Sequence, residues 1–435
     1  MKKNLLFVLL SLISAGILTG CVSANDHTDN ALKKSGENKI EIEFWHCMGS
    51  SNGDLLEKLT DEFNQSQDEI YVKAVHQGSY IKGKAEFLAA LSAGDAPVVA
   101  QVEIGDIGVF AEADQLVDMQ KYVDAEQEMI EDFLPGLLDA SYYGSELIAL
   151  PHSRSIPVMY YNKDLFREYG LDADKPPANW QELQQAAKKL SKNGTYGYSC
   201  PLDSWYYAAL MMCSDGQLYD EDMKTIGFLG EAGTAPLYLW ENMVADGTMY
   251  IPSGQDYNSS EACRNIFAEE ATAIIMQSSA QLKGLEQTCE FEVGVAPIPV
   301  NTSRLYPTGG SNLVMFEGHT DEEQNAGWEF IKFMLDTKHA AAWANGTGYL
   351  PVRKSCMESE SYKEIIEQDA NLQLIVDNVK YCSMITFIPE YKETSDIIAE
   401  EIRTCILEEH YSPETAVEHM AERIEKLLRS YRNKS

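Results

Sequence analysis

Three residues with hydrogen-bonding or ionisable side chains fall where three successive apolar strand patterns end. His46 follows Ile40, Ile42 and Phe44, which alternate with Glu41 and Glu43. Tyr80 follows Ile70, Val72 and Ala74 through Gly78 and Ser79, and Glu103 closes the apolar run that begins at Pro97. Each alone has a structural reading as good as a functional one. Together they point to a cleft, because ligands of parallel α/β sheets sit beyond the carboxyl ends of the strands. An imidazole, a phenol and a carboxylate at one sheet edge can donate to and accept from a small polar molecule. Ser278, followed by Ser279, comes after the apolar run Thr272 to Met276 and before an expected short helix at Ala280. A serine at that place either holds an anion with the free N–H groups behind it or caps the helix, and both readings stand.

Other chemistries find no support. The eight His are scattered without a ligand-like pair, and no Cys pair has CxxC spacing. The sequence around Asp220 and Asp222 lacks the Gly and terminal Glu of a calcium loop. No metal, no cofactor and no enzymatic reaction is therefore expected. The 34 Lys+Arg against 68 Asp+Glu leave a formal net charge of −34, which argues against a nucleic-acid partner.

The elements that must position these residues alternate. A loop at Gly49 to Gly53 leads to Leu55, Leu56, Leu59 and Phe63 at helical spacing, and a second helix carries Phe87, Leu88 and Leu91 with Gly94 as its stop. The first part therefore reads as α/β with a largely parallel sheet. Leu147 to Leu150, Val158 to Tyr161, Thr195 to Cys200 and Thr272 to Met276 read as further strands. Asn179 with Glu182 and Thr320 with Glu323 are capping boxes. Gly194 closes the helix that Asn179 opens. Thr308-Gly309-Gly310-Ser311 precedes a strand at Asn312 to Phe316. Ser412-Pro413-Glu414 opens a final helix with Val417, Met420, Ile424 and Leu427 on its packed face. A chain of 435 residues, 45% hydrophobic, can bury two to three cores, and its C-terminal third is mainly helical.

Lys2 and Lys3 precede an apolar stretch from Leu5 to Leu18, too short for a spanning helix, and Leu18-Thr19-Gly20-Cys21 follows. Residues 1–20 read as a lipoprotein signal peptide with Cys21 as the lipidated residue; an ordinary signal with a chance Cys is the plainer reading. Residues 21–38 are polar and aperiodic, as a flexible tether would be. The expected location is the outer face of the cell membrane.

Several segments then combine: Phe44-Trp45-His46, Gly78-Ser79-Tyr80, Gly94-Asp95-Ala96-Pro97, Tyr160-Tyr161-Asn162-Lys163-Asp164-Leu165, Pro176-Pro177 with Trp180, and Thr347-Gly348-Tyr349-Leu350-Pro351. Over about residues 40 to 430 the chain resembles the extracellular solute-binding proteins of ABC importers, the family that includes maltose-binding proteins. Within it the pattern is most similar to the binders of glycerol-3-phosphate and glycerophosphodiesters. The resemblance implies a two-lobed periplasmic-binding-protein fold of type II, each lobe an α/β sheet flanked by helices. Lobe 1 would comprise residues 39–156 plus 309–350, and lobe 2 residues 157–308 plus 351–435. It implies a monomer that carries a small phosphorylated polyol to a membrane permease, with a neutral sugar or oligosaccharide as the alternative cargo.

Carried over by motif, the resemblance marks Tyr80, Glu103, Ser155, Ser278, Gly310 (in a Gly-Gly turn), Tyr349 and Trp205 as ligand contacts. Trp205 would suit a quaternary ammonium. His46 belongs to the same N-terminal pattern. Where the family has a phosphate-binding Arg, this chain has Lys392, which offers a point charge without the bidentate fork. Leu202 stands where the family has a further Trp, which would open the pocket to a larger head group.

Overall fold

A computed structural model of the chain describes residues 39–432 apart from 125, 135, 136, 139, 140, 221–223, 384–389 and 409. The leader, Cys21 and the tether lie outside the described residues.

Two five-stranded sheets organise the molecule. The first has the order Ile70–His76, Ile40–His46, Val99–Glu103, Gly309–Met315, Leu150–Ser155. Its first three strands are parallel, and Gly309–Met315 runs antiparallel to both of its neighbours. The second sheet has the order Met249–Tyr250, Tyr198–Ser199, Ile274–Ser278, Pro157–Asn162, Val293–Pro297. Each sheet has helices on its faces, giving the two lobes of a type II binding-protein fold.

The chain passes between the sheets at short crossings. Ser155 ends a strand of the first sheet and Pro157 begins one of the second. Pro307 belongs to a small ribbon with Ser383, and Gly309 already pairs with Ser155 in the first sheet. Crossings this short act as hinges, since a few residues absorb the rotation of one lobe on the other.

The apolar spacing seen in the sequence does the packing. Leu56, Leu59 and Phe63 of the helix Ser50–Ser66 are buried against the first sheet, and Phe330 packs on both Phe44 and Phe63 at ring distances of 5.0 and 5.3 Å. Gly94 closes the helix Tyr80–Ala93 in a left-handed conformation at φ 76°, where its N–H caps Ala90 and Leu91. The Thr320–Glu323 capping box forms on the helix Asp321–Leu335. At Asn179 the reciprocal bond goes one residue back, with Glu182 accepting from the N–H of Ala178. The helix it opens, Trp180–Leu190, ends at Ser191, before Gly194.

Some expectations need correction. The Gly49–Gly53 segment is not a loop; the helix begins at Ser50, and Ser50 to Asp54 form its first turn with Gly53 buried. Thr195 to Cys200 contributes only Tyr198–Ser199 as strand. The Gly309–Gly310 pair is not a turn but the start of a strand. Gly310 adopts φ 122°, and a Cβ there would lie 2.1 Å from the Ser153 carbonyl oxygen, so close antiparallel pairing requires glycine. All eight described cysteines carry free thiols.

Candidate ligand-binding site

The strand ends and crossings bring several of the marked residues to one region. Tyr80 is the first residue of its helix, which Ser79 caps. Its ring is half-buried, while its hydroxyl is enclosed and completes no hydrogen bond. Ser311 and Tyr349 are its hydroxyl neighbours at near hydrogen-bonding range, off the geometry of a full bond. The Ser311 hydroxyl is likewise enclosed and unpartnered. Tyr349 is buried, stacks on Trp343 at 5.6 Å and donates to the Met48 sulfur at 3.8 Å. Burial, opposed by its Tyr80 neighbour, pushes the Tyr349 phenol up to about 12, so it remains a donor.

Ser155 and Trp205 approach each other across the crossing. A Cβ on Gly309 would lie 3.0 Å from the Trp205 ring and 3.3 Å from the Ser155 hydroxyl. The Trp205 indole donates to the Thr308 carbonyl at 3.4 Å. Trp205 is held in place by Asp203, which caps the helix Ser204–Met212 by accepting from the Trp205 and Tyr206 N–H groups, both at 2.9 Å.

Ser278 ends its strand opposite Pro157. Its hydroxyl accepts from the Ala280 N–H at 3.3 Å, so it is a helix cap, and its half-buried side chain stands beside the same crossing. The neighbouring Ser279 donates its N–H to Ile156 at 2.8 Å, and a Cβ on Gly348 would lie 2.5 Å from the Ser279 carbonyl oxygen. Ser155, Ser278 and Tyr349 therefore converge where the lobes join.

A cluster of carboxyl groups lies within electrostatic reach of Tyr80 and Tyr349. Burial raises the Glu103 carboxyl, with Asp106 and Asp203 adding to the rise while Lys392 and Lys84 oppose it. Burial also raises Asp203, to about 7, against its two N–H bonds. Asp106 is buried and paired with Lys84 at 2.8 Å. Lys392 is placed near Glu103 and Asp106 but is ion-paired with Asp396 one helical turn on. Its helix, Tyr391–Leu407, packs on the turn Ile104–Asp106 of the first lobe, which draws the lobes together over the carboxylates.

Two residues stand apart. His46 is fully buried between the rings of Phe44 and His76, at 5.8 and 5.4 Å, and burial followed by His76 lowers it to about 4. Leu202 is fully buried in the core of the second lobe, so its smaller side chain fills core volume and opens no pocket, contrary to the expectation above. Sequence reasoning passed over Asp106, Asp203, Ser311 and Arg154. Only Arg154 carried a signal, a charge inside an otherwise uncharged buried strand.

The profile of the bacterial extracellular solute-binding proteins matches residues 58–371. The chain belongs to that family. It is 28% identical over 348 residues to the sn-glycerol-3-phosphate-binding periplasmic protein UgpB of Yersinia pestis, covering 76% of this chain and 78% of that one. UgpB of Brucella abortus is 26% identical over 384 residues, covering 82% and 84%. UgpB of Mycobacterium tuberculosis, solved with glycerophosphocholine, superposes with a TM-score of 0.80 at 22% identity over 91% of this chain and 100% of that one. The GacH receptor of Streptomyces glaucescens, solved with acarbose, gives 0.81 at 21% identity over 90% and 99%. Family members are extracellular or periplasmic proteins that bind small solutes and deliver them to ABC permeases. Among the described residues, no helix is long and apolar enough to cross a membrane.

Proposed function

We propose that the protein captures glycerol-3-phosphate or a glycerophosphodiester, such as glycerophosphocholine, between its lobes for import. The observation that carries this reading is the pair of enclosed, unpartnered hydroxyls of Tyr80 and Ser311 beside Gly310. Buried polar groups are rarely left without partners, and a phosphate oxygen supplies the acceptors both hydroxyls lack. Tyr349, Ser155 and Ser278 add further hydroxyls from the crossings. Glu103 accepts from the glycerol hydroxyls, and Trp205 faces a quaternary ammonium where the cargo is a choline diester. Lys392 balances Glu103 and Asp106 instead of gripping phosphate alone. The curated relatives named as glycerol-3-phosphate binders support the class.

Cargo touching both lobes favours the closed arrangement by its differential affinity for that state. The monomer is held at the outer face of the membrane by lipid on Cys21 and hands its cargo to the permease. The raised carboxylates Glu103 and Asp203 favour a second reading, a sugar whose hydroxyls donate to them, and the acarbose receptor shares the fold. A thermal-shift screen separates the two. A true ligand at a hundredfold excess over its Kd adds about 2.7 kcal/mol. The proposal expects a shift with glycerol-3-phosphate or glycerophosphocholine; a shift with maltose or maltotriose alone overturns it.

A further inference from the structure

The strand Leu150–Ser155 reads Leu-Pro-His-Ser-Arg-Ser, and all six residues are buried. An ion taken into such a place costs several kcal/mol unless it is paired. Arg154 is fully buried. Its Nη1 donates to the carbonyls of Ser153 and Ser311, both at 2.9 Å, and its Nη2 to Asn312 Oδ1 at 2.5 Å. Nε has no partner. Every acceptor is a neutral dipole, and among the described residues no carboxylate pairs with the guanidinium. Its neighbour His152 offers no anion either: burial first, and then Arg154, hold that imidazole neutral, down to about 3.

The surroundings tie this cation to the candidate site. Arg154 is opposite Gly310 in the antiparallel register and adjacent to Ser155. It holds the backbone carbonyl of Ser311, whose hydroxyl is one of the two left unpartnered. Its neighbour on the side of the candidate site is the Tyr80 phenol, which burial keeps neutral. The guanidinium therefore lies directly behind the hydroxyl pair, in a low-dielectric setting where its field is poorly screened.

We propose that Arg154 sets the charge preference of the site: its buried guanidinium fixes a positive charge behind Tyr80, Ser311 and Gly310, so that the first lobe favours an anionic group on the cargo over a neutral hydroxyl. This rests on the phosphorylated-glycerol reading. Arg154 is a positioning residue that touches no ligand, and it explains how a chain of net charge −34 holds an anion. The counter-ion missing from the free protein arrives with the cargo.

The test compares wild type with Arg154→Met and Arg154→Lys by isothermal titration with glycerol-3-phosphate and glycerophosphocholine. Arg154→Met should lose about tenfold or more in affinity for the dianionic monoester, and less for the diester, whose phosphate bears one charge. Arg154→Lys keeps the charge without the fork and should stay within about threefold of wild type. Should Arg154→Met fail to fold, Arg154→Gln, which keeps an amide donor without the charge, carries the same comparison. Unchanged monoester affinity without the charge, or equal losses in the Lys and Met variants, overturns the inference. A wild-type protein that binds neither compound overturns the functional reading instead, and this inference with it.

Discussion

Replacing Tyr80 by phenylalanine removes one oxygen and leaves the ring in place. In the free protein that oxygen is shut away from solvent without a hydrogen-bond partner. A buried hydroxyl in that condition costs roughly 1–3 kcal/mol, so its removal should leave the unliganded protein as stable as wild type or more so. In the complex the same hydroxyl donates to a phosphate oxygen. A hydrogen bond to a charged group contributes about 1.5–3 kcal/mol, which corresponds to a Kd weaker by about 10- to 150-fold. The two effects have opposite signs, and simple damage to the fold cannot imitate that combination. Thermal denaturation without ligand and isothermal titration with glycerol-3-phosphate read them separately. A Kd within about twofold of wild type would refute the reasoning, as would a clear drop in the melting temperature of the free variant.

Further outcomes follow from the same geometry. Gly310→Ala places a Cβ 2.1 Å from the Ser153 carbonyl oxygen at φ 122°, so it should lose at least about 1–3 kcal/mol in urea unfolding and weaken binding as well. His46 is held neutral, at about 4 against an ordinary 6.5. Its contribution is complete above 6.5 and disappears as pH falls through 4, a loss of up to about 3 kcal/mol, which His46→Phe should remove from a plot of unfolding energy against pH. Glu103 and Asp203 behave in the opposite way. Their carboxyls are raised, so the stability they contribute is complete below about 4 and is lost as pH rises through about 7 for Asp203 and higher for Glu103. The free protein should therefore melt higher at pH 6.5 than at pH 8, and Glu103→Gln should reduce that difference.

The architecture was legible wherever the physics is local. Alternation at Ile40 to Phe44 and helical spacing at Leu56 to Phe63 each need only one face of one element to be apolar, and both elements formed. The strand-end rule pointed to Tyr80 and Glu103 because chain direction in a parallel sheet fixes which end carries a ligand. Legibility failed where the cause lies in a distant segment. Gly309 and Gly310 look like a turn until the Ser153 carbonyl is seen to need the space a side chain would fill. Asp203 and Glu103 belong to different lobes, and nothing within either segment announces their meeting. His46 matched a family pattern yet packs between two rings, because a strand's last residue can turn into the core as readily as outward.

The central claim is that hydroxyls from both lobes close on the phosphate of a small glycerol ester. Co-crystallisation with glycerophosphocholine tests it most directly. The account requires phosphate density within hydrogen-bonding distance of the Tyr80 and Ser311 hydroxyls, with the choline end toward Trp205. Density for the ligand elsewhere, or a cleft that takes up maltotriose and leaves the phosphate ester in solution, would contradict it.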